Sequence, residues 1–172
     1  EMPLMMERLF KINVHRMQKP NDRSATFVMD NRAIKDFLLL NGLGKRTSRE
    51  VAVPRLIRQS PANIVGAFLR GLFEADGTLT HGYPTLMTSS VQLAREVSTL
   101  LIGLGCPVKI RTTAAGLDRW GDSETYQVRI TSTVGLQAWR EKIGCDQRSR
   151  FATAYVWESD LRRETSYVVP NP

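Results

Sequence analysis

The sequence predicts a mixed α/β (α+β) fold made of one incomplete and one complete copy of a single repeat. Three observations lead there. Helical and two-residue periodicities alternate through residues 60–143 in the order helix, hairpin, helix, two strands, helix. The later part of that order recurs within the first 60 residues. Laying the helix that ends at Gly42 on the one that ends at Gly144, an offset of 102 residues, pairs Val28 with Ile130, Ile34 with Leu136, Phe37 with Trp139 and Arg46 with Arg148.

In chain order, the first copy opens on a helix around residues 2–8. Residues 9–14 and 25–29 then read as strands, and 32–40 as a helix stopped at Gly42. The second copy opens at Ser60-Pro61, a good N-cap followed by a residue suited to the first helical turn. Ile64, Val65, Phe68, Leu69, Leu72 and Phe73 follow helical spacing, and Gly77 ends the run. Residues 78–80 and 85–88 form a hairpin about a His-Gly-Tyr-Pro turn. Ser89-Ser90 caps a helix over 91–104, with its apolar stripe at Leu93, Val97, Leu100, Leu101 and Leu104, and Gly105 stops it. Two alternating strands, 108–113 and 126–131, precede a helix over 133–143 that stops at Gly144. The expected organisation is an incomplete first repeat over 1–59, a complete second repeat over 60–157 and a tail over 158–172. The second repeat sets the scale of what the first lacks, about 30 to 40 residues carrying its opening helix and hairpin.

Composition is globular: 172 residues, 42% hydrophobic and 24% charged. No run approaches the roughly 20 apolar residues of a membrane helix, and the first residues have no signal-peptide pattern. Membrane partners are not expected, and the protein is expected in the cytoplasm. Cys106 and Cys145 read as buried free thiols, since neither CxxC nor finger spacing is present. The net charge is +7 and uneven: residues 1–60 hold twelve Lys+Arg against six Asp+Glu, and residues 61–172 twelve against eleven. A basic balance suits a polyanion partner without proving one.

The segment Leu69-Arg70-Gly71-Leu72-Phe73-Glu74-Ala75-Asp76-Gly77 has its own physical content. Ala67, Gly71 and Ala75 recur every four residues, so small side chains line one helical stripe where a second helix can approach closely. Asp76 ends the helix near that contact. If the partner helix brings its own acid, two carboxylates meet, and a hard divalent cation is what lets them crowd. The plain alternative is a buried amphipathic helix with an Asp-Gly turn.

Six of those nine residues (Leu69, Gly71, Leu72, Ala75, Asp76 and Gly77) match the LAGLIDADG motif. With Val53-Pro54-Arg55-Leu56-Ile57, Ser60-Pro61 and Ala67-Phe68 ahead of them, the chain resembles the intein-encoded type of LAGLIDADG homing endonuclease. The resemblance implies a pseudo-twofold α/β fold with saddle-shaped antiparallel sheets and motif helices at the interface. It implies Mg²⁺-dependent, site-specific cleavage of double-stranded DNA, with Asp76 as catalytic acid and metal ligand and the Ala75 carbonyl also facing the metal. Glu74 would support the helix end. The helix interface would use Ala67 and Gly71, and the partner would be the missing first-repeat segment or a second copy of the chain.

In such a saddle the alternating strand faces place Lys109, Arg111, Gln127, Arg129 and Thr131 toward DNA, with Lys11, Asn13 and His15 from the first copy. These side chains can contact phosphates and base edges, although a solvated sheet face has the same pattern. The chain departs from the family in lacking the first motif and in having Val51 where relatives often carry a lysine. The nearest cations are Lys45, Arg46 and Arg49, and Ser123 and Glu124 stand where a second lysine would be expected. Neither end carries splicing residues, so the chain is not expected to splice. A DNA-binding relative that no longer cuts, an RNA maturase and a basic structural domain remain alternatives.

Overall fold

The computed structural model describes residues 2–18, 26–44, 47–116, 123–145, 149 and 151. The chain forms two compact units, Glu1–Gly44 and Lys45–Pro172.

In the first unit, α1 (Met2–Phe10) is followed by β1 (His15–Met17), β2 (Thr26–Val28) and α2 (Arg32–Leu40). β1 and β2 pair antiparallel, with His15 opposite Val28 and Arg16 opposite Phe27. The strand expected over 9–14 is corrected. Leu9 and Phe10 continue α1, where Met6 and Phe10 are half-buried four residues apart. Lys11 then closes the helix in the left-handed region at φ 54°, its N–H donating to the Glu7 carbonyl. α2 agrees with its expected bounds. The Asn31 side chain accepts from the Ile34 N–H at 3.2 Å, and Gly42 follows at φ 74°.

The second unit holds α3 (Arg55–Arg58), α4 (Ala62–Asp76), β3 (Gly77–Thr80), β4 (Tyr83–Thr88), α5 (Val91–Gly103), β5 (Val108–Thr113), β6 (Thr125–Ile130) and α6 (Thr133–Lys142). The four strands form one antiparallel sheet in the order β3-β4-β6-β5. From α4 onward this is the helix, hairpin, helix, two strands, helix order read from the sequence, with the two strands β5 and β6 paired antiparallel.

Three local details differ from expectation. Pro61 is the N-cap of α4 and makes no side-chain cap bond, while the Ser60 hydroxyl donates back to the Leu56 carbonyl at 2.7 Å. Ser60 therefore closes α3 instead of opening α4. The β3–β4 turn is His81-Gly82 alone, with both residues at positive φ (52° and 79°), as a two-residue turn matched to strand twist requires. Tyr83 and Pro84 join β4. Pro84 lies opposite Leu79, one pair beyond the turn-closing Thr80–Tyr83 pair and ahead of the β4–β6 pairing, which starts at Thr85. At such a pair no amide is asked of it. Finally, Thr131 lies one residue past β6, its N–H donating to the Pro107 carbonyl at 3.3 Å.

One face of this sheet enters the core. Leu86, Val128 and Ile130 meet Leu93, Val97 and Leu101 of α5 and Leu69 and Phe73 of α4 in one buried cluster. Phe73 and Trp139 pack edge to face with centroids 4.6 Å apart, and Phe151 stands 6.3 Å from both.

The segment ahead of α3 belongs to this core. The Ser90 hydroxyl donates to the Val51 carbonyl at 2.6 Å and also accepts from the Leu93 N–H, capping α5. Glu96 accepts the Val53 N–H at 2.7 Å and pairs with Arg58 at 3.1 Å. Glu96 of α5 and its N-cap Ser90 thus hold the backbone of 51–53, and Val53 and Pro54 are buried. The compact unit begins at Lys45 and so includes this segment. Cys106 is buried and Cys145 half-buried; burial pushes the Cys106 thiol up to about 11. The tail over 158–172 lies outside the described residues, as do Lys45, Arg46 and Arg148.

Candidate functional site

α4 has two unlike faces. Val65, Leu69 and Phe73 recur at four-residue spacing and are buried. Ala67, Gly71 and Ala75 are all exposed. The two mid-helix glycines separate the two roles. A Cβ on Gly66 would stand 2.2 Å from the Lys142 carbonyl oxygen, so that glycine is required where α4 passes the end of α6. A Cβ on Gly71 would meet nothing within 4 Å. Glycine in a helix costs about 1 kcal/mol against alanine. Among the described residues no contact offsets that cost at Gly71.

α4 runs straight into β3, so Asp76 is the last helical residue and Gly77 the first of the strand. Asp76 is exposed. The last turn of α4 holds Glu74 and Asp76 and no basic residue. The C-terminal end of a helix carries partial negative charge, and acids there deepen it, which favours a cation. The Ser149 hydroxyl donates to Glu74 at 2.6 Å, holding that carboxylate back at the helix end. Among the described residues no group of three His, Cys, Asp or Glu side chains is placed to hold a metal ion. At this end of α4 the exposed acid Asp76 is the oxygen ligand presented to a hard cation, with Ala75 the residue before it.

The second surface is the sheet face opposite the core. Residues directly opposite in an antiparallel pair share a face. The register places Lys109 opposite Arg129 and Arg129 opposite Thr85, while Arg111 is opposite Gln127 and Gln127 opposite Met87. Lys109, Arg111, Gln127 and Arg129, separated by loops in sequence, thus lie together on one surface. None of Lys109, Arg111 and Arg129 is ion-paired with a carboxylate among the described residues.

The remaining expected contacts lie in the first unit. Lys11 caps α1, Asn13 precedes β1, and His15 sits opposite Val28. Under the 102-residue offset Val28 corresponds to core-facing Ile130. The first-unit residue that corresponds to Lys109 is therefore Arg16, opposite Phe27. Sequence reasoning missed both Arg16 and Met87. Met87 could have been found by parity, because it alternates with buried Leu86; Arg16 required the true start of β1. At the lysine position, Val51 is half-buried with its carbonyl engaged, and the Arg49 guanidinium hydrogen-bonds the Ser123 hydroxyl.

A two-hairpin, three-helix repeat with an exposed small-residue helix face, a terminal acid and a basic sheet surface defines the class, an α+β repeat. The model of the LAGLIDADG-like domain matches residues 63–144, and the chain carries a domain of the LAGLIDADG homing endonuclease type. It is 33% identical over 133 residues to the replicative DNA helicase DnaB of Rhodothermus marinus, a match covering 73% of this chain and 14% of that protein. It is 24% identical over 146 residues to the replication factor C small subunit of Methanocaldococcus jannaschii, covering 85% of this chain and 8% of that protein. The DnaB helicase of a Synechocystis species is 28% identical over 114 residues, 62% of this chain and 13% of that protein. The chain thus spans less than one sixth of the length of each of these relatives. No described helix is long and apolar enough to cross a membrane.

Proposed function

We propose that this chain supplies the second-repeat half of a site-specific, Mg²⁺-dependent endonuclease for double-stranded DNA, of the intein-borne kind. The observation that carries this reading is α4: a helix with an exposed small-residue face and an exposed acid at its end. A second motif helix, from a first-repeat segment or from another copy of the chain, would lie along Ala67, Gly71 and Ala75 and bring a second acid beside Asp76. Asp76 and the Ala75 carbonyl would hold the cation, which supplies Lewis-acid stabilisation and an activated water at the phosphodiester. The sheet face with Lys109, Arg111, Gln127 and Arg129, extended by Thr131 just past β6, would lie along the major groove.

The intein origin rests on the relatives. A segment shared between a helicase and a replication factor subunit, and covering only 8 to 14% of each, is what a mobile insertion leaves in different hosts.

A second reading is favoured by one observation. The family's usual lysine position is Val51, and its nearest described cation, Arg49, is bound to Ser123. That arrangement fits a domain that binds DNA and no longer cuts it.

The test is cleavage of a randomised DNA library by this chain supplied with a first-repeat segment, with and without Mg²⁺, beside Asp76→Ala. Mg²⁺-dependent cutting at one long preferred site, lost in the variant, is the expected result. Sequence-selective binding without cutting would favour the second reading, and absence of salt-sensitive DNA binding would rule out both.

A further inference from the structure

Resting on the reading that the open sheet face meets DNA, we infer that its two cross-strand rows divide the work. The row Lys109–Arg129 holds phosphate. The row Arg111–Gln127–Met87 reads base edges, and Met87 takes the methyl group of a thymine.

The first half of the argument is electrostatic. Lys109 and Arg129 are direct partners on neighbouring strands. Side chains so placed stand about 5 Å apart at Cβ, and like charges there repel. No described carboxylate relieves the pair. Thr85, the next residue in the row, is buried and uncharged, its hydroxyl donating to the Tyr83 carbonyl at 3.0 Å. An anion bridging the two cations turns the repulsion into attraction, and a phosphate group is the anion DNA brings.

The second half concerns an apolar residue in a polar place. β4 pairs on both sides, and Leu86, which points the other way, is 1% exposed. The facing of Met87 is therefore fixed by the register. It is nevertheless 40% exposed, in line with Gln127 and then Arg111. Each member of that row has a distinct counterpart in the major groove. Arg suits the guanine edge, Gln the adenine edge, and an apolar side chain the C5 methyl of thymine. Gln127 and Met87 are neighbours, as adenine and thymine edges are within one short A·T-containing step. Methionine's flexible thioether conforms to such a surface. The row also has a defined relation to the acid. Gly77 pairs with Leu86, so the residue before it, Asp76, stands at the level of Met87, where β3 gives way to α4.

The experiment uses the full chain. Duplexes are selected from a randomised pool at low salt, and each thymine of the selected sequence is then replaced singly by uracil, which lacks only the methyl group. One replacement should weaken binding of the unaltered chain about fourfold, the worth of one buried methyl-sized group, and should leave Met87→Ala unaffected. Gln127→Ala should relax the preference for adenine at or beside that position. Lys109→Ala and Arg129→Ala should weaken all sequences alike, each lowering the salt slope by about one unit. Equal uracil sensitivity in Met87→Ala, or none at any position, overturns the base-reading row while the Lys109 and Arg129 results still stand for the DNA-facing sheet. If those two variants leave affinity and salt dependence unchanged, the face does not meet DNA and both readings fall.

Discussion

The two units are built from corresponding elements and differ in what covers them. In the second, Trp139 is 1% exposed, packed on Phe73 and Phe151. Its counterpart in the first, Phe37, is 52% exposed, its ring meeting Phe10 edge-on with centroids 6.1 Å apart. Among the described residues of the first unit Ile34 is the buried apolar one, and Leu4, Leu9, Leu40 and Leu43 are all more than half exposed. A groove lined by Met29, Ile34, Leu38, Leu39 and Leu43 stays open beside α2. The difference shows what the motif helix and its hairpin do for a repeat. In the second unit α4 and β4 supply Leu69, Phe73 and Leu86 to the core, and Leu79 of β3 packs against it. The first unit has no such elements among the described residues, and apolar side chains patterned for burial are left in water.

The strongest way to break this comparison is to empty the corresponding aromatic positions. All three tryptophans, Trp120, Trp139 and Trp157, fall within Lys45–Pro172, so tryptophan fluorescence reports the second unit. Phe73→Ala removes a fully buried ring and should lower that unit's unfolding free energy by about 3–5 kcal/mol in a denaturant titration. Phe37→Ala should move the same transition by about 0.5 kcal/mol or less. Equal losses would mean that Phe37 shares the second unit's core, and the contrast would be lost.

How far the sequence could be read follows the same division. In the second unit, periodicity and punctuation agree because packing enforces both. Ser90, Gly105 and Gly144 mark ends that the structure keeps, with Ser90 capping through its side chain. In the first unit, residues 9–14 read as a strand because alternation over six residues fits either period, and the end of α1 is set by a left-handed lysine, which no residue-type rule announces. That Ala67, Gly71 and Ala75 share one exposed stripe of α4 and that Asp76 stands at its end was legible from spacing. The rows across the sheet were not, because register is a property of two strands together, fixed here by the β4–β6 and β5–β6 pairings. The tie between α5 and residues 51–53 was equally hidden, since it joins residues about 40 apart through backbone groups.

That tie gives a smaller test, which sharpens where the second unit begins. Glu96→Ala leaves the Val53 N–H without its acceptor and Arg58 without its partner. A buried amide so stranded costs about 1–3 kcal/mol. The fluorescence transition should fall by that amount, and hydrogen exchange at the Val53 amide should quicken. If exchange there is unchanged, the segment is held by burial of Val53 and Pro54 alone, and the unit's boundary owes nothing to Glu96.

The smallest expected effect bears on the open face itself. Gly71 occupies a helical position where a methyl group would touch nothing, so Gly71→Ala should stabilise the isolated chain, by up to about 1 kcal/mol, through the lost flexibility of the unfolded state. The same methyl would stand in the path of a helix packed on Ala67 and Ala75. Gly71→Ala should therefore raise the unfolding midpoint and, in the same protein, weaken association with a first-repeat segment or with a second copy, read by sedimentation. Opposite signs in the two measurements are what separates a face kept small for a partner from an ordinary solvated face, where the substitution would stabilise the chain and change nothing else.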